Sequence, residues 1–202
     1  MMLMKQFTVR GERGSGTNYI TNLIRENLSL TYNEIRWKHD VMDENFDGIP
    51  VITISKSIFC WLPSVHKRPW HMLGSMGLPF EEFVRSECVT RATNPEMAKM
   101  YGVQAAGIID RYPNPMKMYV AKNEKFQKVS DYHVRYIDLL RDPEKIIEQI
   151  AELLKLKFTR FRDVTTIFSF TPERKEYYLH NGYMKLYDKK LKEFVLNQVN
   201  NT

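Results

Sequence analysis

Apolar and polar positions follow two different periods along the chain. Short runs rich in β-branched and aromatic residues, which are typical of strands, lie at 5–10, 34–39, 50–55 and 132–137. Between these runs, apolar residues recur three and four positions apart, which is typical of helices packed on one face. Ile20, Leu23, Ile24 and Leu28 form the first such stripe, and further helical segments are predicted at 58–66, 80–91 and 115–128.

A later helix has a recognisable N-terminal signal in the sequence. Asp142 is followed by Pro143, and an aspartate N-cap with proline at the first helical position is a common helix start. The helix behind it has one apolar face, made of Ile146, Ile147, Ile150, Leu153 and Leu154. Strands that alternate with helices predict an α/β fold, a three-layer arrangement with a central parallel β-sheet flanked by helices.

The length of 202 residues predicts a single domain, 1–202, with two special segments. Residues 67–130 are irregular and rich in proline and glycine, as expected of an insertion that faces the substrate. Residues 172–202 predict a charged, tyrosine-rich helical tail.

The composition of the chain narrows the classes of partner and the cellular setting to be expected. The net charge of +6 and the pI of 9.2 favour an anionic partner. Cys60 and Cys88 have neither metal-ligand spacing nor a disulfide pattern, which favours a reducing, cytoplasmic setting. The apolar start of the chain is too short for a signal peptide, and no stretch approaches the run of about 18 apolar residues that spans a membrane.

A glycine-rich loop follows the first predicted strand. Residues 11–19 read Gly-Glu-Arg-Gly-Ser-Gly-Thr-Asn-Tyr and open the first helix, and a strand, a glycine turn and a helix together bind phosphate. Thr17 and Asn18 stand where a nucleoside-triphosphatase P-loop has its lysine and its magnesium-binding hydroxyl. The loop therefore predicts a P-loop type of nucleotide-binding fold that holds a phosphate-like group without Mg-ATP; the alternative is an ordinary glycine turn.

Two other predicted strand ends carry candidate ligands, because ligands of open α/β sheets lie beyond the carboxyl ends of the strands. Lys56 follows the strand at 50–55, and Ser64 comes eight positions later; both suit a phosphate oxygen. Lys38 and His39 end the run at 34–39, and histidine is the usual general base near neutral pH. A surface lysine, an ordinary serine and a structural histidine remain the alternatives.

Three blocks of the sequence resemble the P-loop sulfotransferases that use 3′-phosphoadenosine 5′-phosphosulfate (PAPS). Residues 13–19, Arg-Gly-Ser-Gly-Thr-Asn-Tyr, resemble the 5′-phosphosulfate loop of that family. Lys56 and Ser64 keep the spacing of its 3′-phosphate motif, in which a basic residue ends a strand. Residues 135–143, Arg-Tyr-Ile-Asp-Leu-Leu-Arg-Asp-Pro, resemble its Arg-Tyr-Glu-Asp-Leu-x-x-Asp-Pro block. Together the three blocks run from residue 7 to about residue 155.

The resemblance implies a role for each matching position. His39 would be the catalytic base, with Lys38 and Arg13 neutralising charge on the transferred sulfonate and the leaving phosphate. Lys56 and Ser64 would bind the 3′-phosphate. The 5′-phosphosulfate and the adenine would be held by Arg13, Gly14, Ser15, Gly16, Thr17, Asn18, Tyr19 and Tyr136, the two tyrosines being next to the adenine.

The chain also departs from the family pattern. Gly14 stands directly before Ser-Gly-Thr, where the family has a basic residue, and Lys38 and His39 have no residue between them. Lys56 replaces an arginine, Ile137 replaces a glutamate, and the late Arg-Lys-Gly motif is reduced to Arg-Lys-Glu at 174–176.

The sequence thus predicts a PAPS-dependent sulfotransferase that moves a sulfonate group to a hydroxyl or amine and releases 3′-phosphoadenosine 5′-phosphate (PAP), with no metal. The cluster His66, Lys67, Arg68, Trp70 and His71 is compatible with an anionic small-molecule or glycan acceptor, or with an ordinary surface. A P-loop small-molecule or nucleotide kinase and a binding-only, degenerate sulfotransferase fold remain alternatives. Nucleic acid is not an expected partner, because no helix-turn-helix, zinc or RNP-like pattern is present.

Overall fold

The computed structural model describes residues 6–33, 38–39, 46, 48–69, 72–91, 109–164 and 171–200. The strands described are β1 (Gln6–Arg10), β2 (Thr31–Tyr32), β3 (Val51–Ser55), β4 (Met72–Leu73), β5 (Cys88–Arg91), β6 (Ile109–Tyr112) and β7 (Tyr132–Arg135). The helices are α1 (Thr17–Leu28), α2 (Ile58–His66), α3 (Phe80–Arg85), α4 (Pro115–Lys128), α5 (Tyr136–Arg141), α6 (Pro143–Leu153), α7 (Pro172–Leu179) and α8 (Lys189–Asn200), with a 3₁₀-helix at Gly182–Leu186.

The chain divides into two compact units. Unit 1 consists of residues 1–57 and 123–182, and unit 2 consists of residues 58–122 and 183–202. The chain thus passes from unit 1 to unit 2 directly after β3 and returns within α4. The prediction of a single domain over 1–202 stays a prediction.

Unit 1 contains a four-stranded parallel sheet in the order β2–β1–β3–β7. In its register Thr8 pairs with Val51, and Ile52 pairs with Tyr132. Every residue of β1 after Gln6 is buried, as are the first four residues of β3. Burial of successive residues means that both faces of the two central strands are covered. The predicted α/β fold, a parallel sheet flanked by helices in a three-layer arrangement, is confirmed.

The helices of unit 1 follow their predicted apolar stripes. Helix α1 buries its stripe and packs against β1 and α6. The Asp142 carboxylate accepts the N–H of Lys145 at 3.0 Å, so the predicted N-cap is confirmed. Leu153 was predicted on the buried face of this helix, but it is 43% exposed. That prediction was wrong because the buried stripe ends one turn earlier, at Ile150 and Ala151.

Two of the later strand predictions in unit 1 have different outcomes. Of the strand predicted at 34–39, residues 34–37 fall outside the described residues, and Lys38 and His39 lie in a turn. Strand β2, which was not predicted, lies just before this run. The last strand, β7, stops at Arg135 because Tyr136 begins helix α5.

Unit 2 contains an antiparallel sheet in the order β4–β5–β6. The predictions of helices at 58–66 and 115–128 are confirmed by α2 and α4, whereas the helix predicted at 80–91 ends at Arg85 and residues 88–91 form β5. The core of the unit includes Trp61, Phe83, Met116, Leu191 and Val195. Helix α7, the 3₁₀-helix and α8 lie within 172–202, and the prediction that this segment is a tail of one domain stays a prediction.

Candidate functional site

The loop between β1 and α1 has a shape that requires glycine. Gly14 and Gly16 have φ of 81° and 101°, in the left-handed region that residues with a Cβ rarely adopt. A Cβ on Gly16 would lie 2.6 Å from two ring carbons of Tyr136, and a Cβ on Gly11 would lie 2.5 Å from the carbonyl oxygen of Ile54. The loop can therefore pack against β3 at Gly11 and against α5 at Gly16 only because both residues lack a side chain.

Polar groups inside the loop stabilise its conformation. Ser15 and Glu12 are fully buried. Ser15 donates both its backbone N–H, at 3.0 Å, and its hydroxyl to the carbonyl oxygen of Glu12. The Glu12 carboxylate in turn accepts the N–H of Arg13 at 2.7 Å. The hydroxyl of Ser15, predicted to bind the 5′-phosphosulfate, thus holds the loop itself together.

Helix α1 begins at this loop with features that suit an anion. Gly16 is its N-cap, no side chain caps it, and its first turn contains no acidic residue. The first N–H groups of a helix have no acceptor within the helix, and the helix dipole is positive at that end. The side-chain oxygen of Asn18 accepts a hydrogen bond from Lys38 Nζ, which places an ammonium group at the same helix end.

The turn that contains Lys38 and His39 is hydrogen-bonded to the loop in both directions. The N–H of Gly11 donates to the carbonyl oxygen of Lys38 at 3.2 Å. His39 Nδ1 lies 2.6 Å from the carbonyl oxygen of Gly11. Because a carbonyl oxygen only accepts, Nδ1 carries the hydrogen and donates it. The structure therefore brings the predicted base and its neighbouring lysine to the predicted phosphate loop.

The electrostatics of His39 follow from this position. Burial lowers the pKa of His39 to about 3; the Glu12 carboxylate and the Gly11 hydrogen bond raise it, and the charges of Lys38 and Arg13 lower it further. The imidazole is therefore neutral near pH 7, and Nε2 is the ring atom that can accept a proton.

Lys56 lies among aromatic rings. It is 7% exposed, and its Nζ lies 4.1 Å from the ring centroid of Tyr136 and 4.2 Å from that of Tyr178. The two rings meet at 85°, with 5.5 Å between their centroids. We call Lys56, Tyr136 and Tyr178 the tyrosine clamp. Since Tyr136 also contacts Gly16, the clamp and the glycine loop lie side by side.

Tyr19, which was expected beside an adenine, is buried and hydrogen-bonded within unit 1. It is 3% exposed, and its hydroxyl donates to the carboxylate of Asp163 at 3.1 Å. Burial, assisted by the charge and the hydrogen bond of Asp163, raises the pKa of Tyr19. Asn27, two turns further along α1, exchanges hydrogen bonds of 2.9 and 2.7 Å with the backbone of Arg162. Both contacts fasten the chain around residues 162–163 to α1.

Ser64 and the cluster at 66–71 belong to unit 2. The Ser64 hydroxyl donates to the carbonyl oxygen of Cys60 at 3.0 Å, one turn earlier in α2. The pairing of Ser64 with Lys56 on one phosphate stays a prediction. His66 donates from Nε2 to the carbonyl oxygen of Leu78 at 2.7 Å. Trp70 and His71 lie outside the described residues.

Three residues near the loop were not identified from the sequence. Tyr178 lies just after the reduced motif at 174–176 in a tyrosine-rich segment, and the sequence did not distinguish it from its neighbouring tyrosines. Arg10 ends β1 at 2% exposure, with its guanidinium 5.4 Å from the ring centroid of Phe46. A charged residue at the end of a buried strand was its only signal. Glu12 stood within the loop motif, but its burial could not be read from the sequence.

Comparison of the chain with known proteins does not identify a family. No protein-family model matches the chain, and no curated protein matches its sequence. Within the part of the chain that the structure describes, no group of three or more His, Cys, Asp and Glu residues could hold a metal ion. No described helix is both long enough and apolar enough to cross a membrane. The function must therefore be argued from the site itself.

Proposed function

We propose that the protein is a cytoplasmic enzyme that transfers a sulfonate group from PAPS to a hydroxyl or amine of a small-molecule or glycan acceptor. The observation that carries this proposal is the attachment of Lys38 and His39 to the glycine loop through Asn18 and Gly11. Sulfonate transfer needs positive charge beside the transferred group and an acceptor for the proton of the attacking hydroxyl. An ammonium and a neutral imidazole beside a helix N-terminus supply both.

The described residues fit a ligand with negative charge at two ends. One end, the 5′-phosphosulfate, would be held by the loop and the first turn of α1, with Arg13 and Lys38 as the cations. The other end, the 3′-phosphate, would meet Lys56. Tyr136, between Lys56 and Gly16, would lie beside the adenine. When bound, PAPS supplies the activated sulfonate; the residues of the chain position it and neutralise its charge.

His39 would accept the proton of the acceptor at Nε2. Its Nδ1 hydrogen is fixed on the Gly11 carbonyl, so the ring is held in the tautomer that a base requires. A pKa of about 3 makes it a weak base in the ligand-free protein. Nearby negative charge raises the pKa of an imidazole. We therefore propose that the bound sulfonate donor itself raises the basicity of His39 and so couples proton transfer to cofactor binding.

A second candidate is a protein that binds PAP or PAPS without catalysing transfer. The observation that favours it is the burial of His39, which is 6% exposed and has its pKa lowered to about 3. A base that is too weak and too buried to reach an acceptor would leave the nucleotide site intact. The two candidates share ligand binding and differ only in turnover.

Thermal unfolding with different nucleotides tests the proposal. PAP at about 100-fold its Kd should raise the stability by about 2.7 kcal/mol, which corresponds to a Tm increase of about 5–10 °C for a chain of this size. ATP with Mg²⁺ and 5′-AMP serve as controls and should produce smaller shifts. Stabilisation by Mg-ATP but not by PAP would overturn the proposal in favour of a kinase. PAP binding without sulfonate transfer to any of a panel of acceptors would favour the binding-only candidate.

A further inference from the structure

The tyrosine clamp contains one residue, Tyr178, that no part of the proposed site has yet used. Tyr178 lies on α7, far along the chain from both Lys56 and Tyr136, and it is 4% exposed. The ammonium of Lys56 lies in the corner where the two rings meet, at nearly equal distances of 4.1 and 4.2 Å from their centroids. Arg174, one turn earlier in the same helix, has its guanidinium 5.8 Å from the Tyr178 ring centroid.

An aromatic ring face holds a cation in a different way from a carboxylate group. The negative face of an aromatic ring attracts an ammonium group within about 6 Å, yet the ring adds no net negative charge. A lysine held by two rings therefore has a fixed position and still attracts an anionic ligand. A long lysine side chain otherwise loses rotamer freedom when a ligand binds, which weakens binding.

We propose that Tyr178 is a positioning residue that, together with Tyr136, fixes the ammonium of Lys56 where it meets the 3′-phosphate of the nucleotide. This inference rests on the proposed function, because it takes the 3′-phosphate as the ligand of Lys56. The Tyr136 ring contacts Gly16 as well as Lys56. A single ring thus sets the spacing between the two positive ends of the site and favours nucleotides with phosphates at both ends.

The experiment compares PAP with 5′-AMP, which lacks the 3′-phosphate, by titration calorimetry. Tyr178→Leu removes the ring and should weaken PAP binding about five- to thirtyfold, the range expected for a desolvated cation–π contact, while 5′-AMP binding changes less than threefold. Tyr178→Phe keeps the ring and should retain PAP binding within about threefold. Tyr132→Leu is the matched control, since Tyr132 also belongs to unit 1 and its hydroxyl donates to the side chain of Gln149, away from the clamp. It should leave the ratio of PAP to 5′-AMP affinity unchanged.

Each outcome separates the clamp from the proposed function. If Tyr178→Leu weakens PAP no more than Tyr132→Leu does, or weakens PAP and 5′-AMP equally, the clamp is overturned and the proposed function stands. If the wild-type protein does not bind PAP, the proposed function is overturned and the 3′-phosphate assignment with it. The clamp can also be tested without ligand by NMR of labelled lysine. Ring currents should shift the Lys56 methylene protons upfield in wild type and in Tyr178→Phe, but less in Tyr178→Leu; no upfield shift in wild type would overturn the clamp.

Discussion

His39 determines which proton transfers the candidate site can perform. Its Nδ1 hydrogen is donated to the Gly11 carbonyl, so the ring cannot rotate without breaking a 2.6 Å hydrogen bond that also positions the loop. Burial keeps the ring neutral. A neutral imidazole in a fixed tautomer is a proton acceptor and not a source of positive charge. The positive charge of the site must come from its neighbours, Lys38 and Arg13.

Replacing His39 should therefore remove turnover and leave nucleotide binding intact. We expect His39→Asn, whose amide can still donate to the Gly11 carbonyl, to lower the rate of sulfonate transfer by about 10²-fold or more, the usual scale of general-base catalysis. Kd for PAP should change by less than about threefold. The rate is measured in single turnover, and Kd by calorimetry.

His180→Asn is the control for this substitution. Its side chain is 78% exposed and pairs with Glu176 on the surface of α7, so both the rate and the Kd for PAP should stay at wild-type values. Unchanged turnover in His39→Asn would exclude His39 as the base.

The sequence located some site residues by type but could not say what they contact. Ser15 and Tyr19 were identified as ligands because of their positions in the loop motif. In the folded chain the Ser15 hydroxyl bonds to Glu12, and the Tyr19 hydroxyl bonds to Asp163, a residue far away in sequence. A motif identifies the backbone that approaches a ligand; which side chains turn inward depends on distant segments.

At the scale of elements, the junction between the glycine loop and α1 requires glycine both for its backbone conformation and for its packing. Gly16 ends the loop, caps α1 and contacts Tyr136 at the start of α5. Its left-handed backbone is required by the turn, and its missing side chain is required by the ring. The same glycine therefore fixes the direction of α1 and the position of one wall of the tyrosine clamp.

Gly16→Ala should be destabilising for two reasons that a control can separate. A left-handed conformation costs a residue with a Cβ about 1–2 kcal/mol, and the new methyl would lie 2.6 Å from the Tyr136 ring, a kind of overpacking that costs about 1–3 kcal/mol. We expect a loss of about 2–5 kcal/mol in the free energy of unfolding, measured with urea.

Gly48→Ala supplies the comparison. Gly48 belongs to the same unit, has a φ of +76° and has nothing within 4 Å of its Cβ position. It should show the backbone cost alone, about 1–2 kcal/mol. Equal losses in the two variants would contradict the close contact between Gly16 and Tyr136.

The predictability of elements depended on how distinct their patterns are. Helices α2 and α4 agree closely with their predictions because each is long enough for a helical pattern to be read. Strand β3 was identified by its run of β-branched and apolar residues. The antiparallel sheet of unit 2 was missed. Its strands have two to four residues, β5 and β6 mix charged with apolar residues, and β5 directly follows a helix. These runs become strands because partners elsewhere in the chain satisfy their backbone groups.

At the scale of the whole molecule, the net charge of the chain and the protonation of two histidines, His39 and His133, act together to lower stability in acid. The net charge is +6 with every histidine neutral. Lowering the pH adds positive charge to a chain that is already basic. Burial lowers the pKa of His39 to about 3 and also lowers the pKa of His133, whose ring nitrogens lie 2.8 and 2.9 Å from the hydroxyls of Thr53 and Ser55. Both histidines favour the folded state only while they are neutral.

Stability should therefore fall as the pH drops below about 6.5, the pKa of histidine in the unfolded chain. Between 6.5 and 3 the unfolded chain binds the His39 proton and the folded protein does not, so protonation favours unfolding. For His39 alone the loss between pH 7.5 and pH 5 is about 2 kcal/mol. Urea unfolding at a series of pH values measures it.

Between pH 7.5 and pH 5, His39→Asn should lose about 2 kcal/mol less stability than wild type, because it lacks the contribution of His39. A residual dependence should remain, because His133 contributes in the same direction. Parallel curves for wild type and His39→Asn would show that the folded protein accepts the proton at His39 after all.

The sequence by itself determined the fold class, the glycine loop and the residue types that make an anion site conceivable. These follow from short-range rules: apolar period, glycine conformation and helix capping. Only the tertiary structure decided that Lys38 and His39 are hydrogen-bonded to Gly11 and that Lys56 lies between Tyr136 and Tyr178. Each of these contacts joins residues that are many positions apart in the chain, and burial there lowers the pKa of His39. No local pattern contains that information.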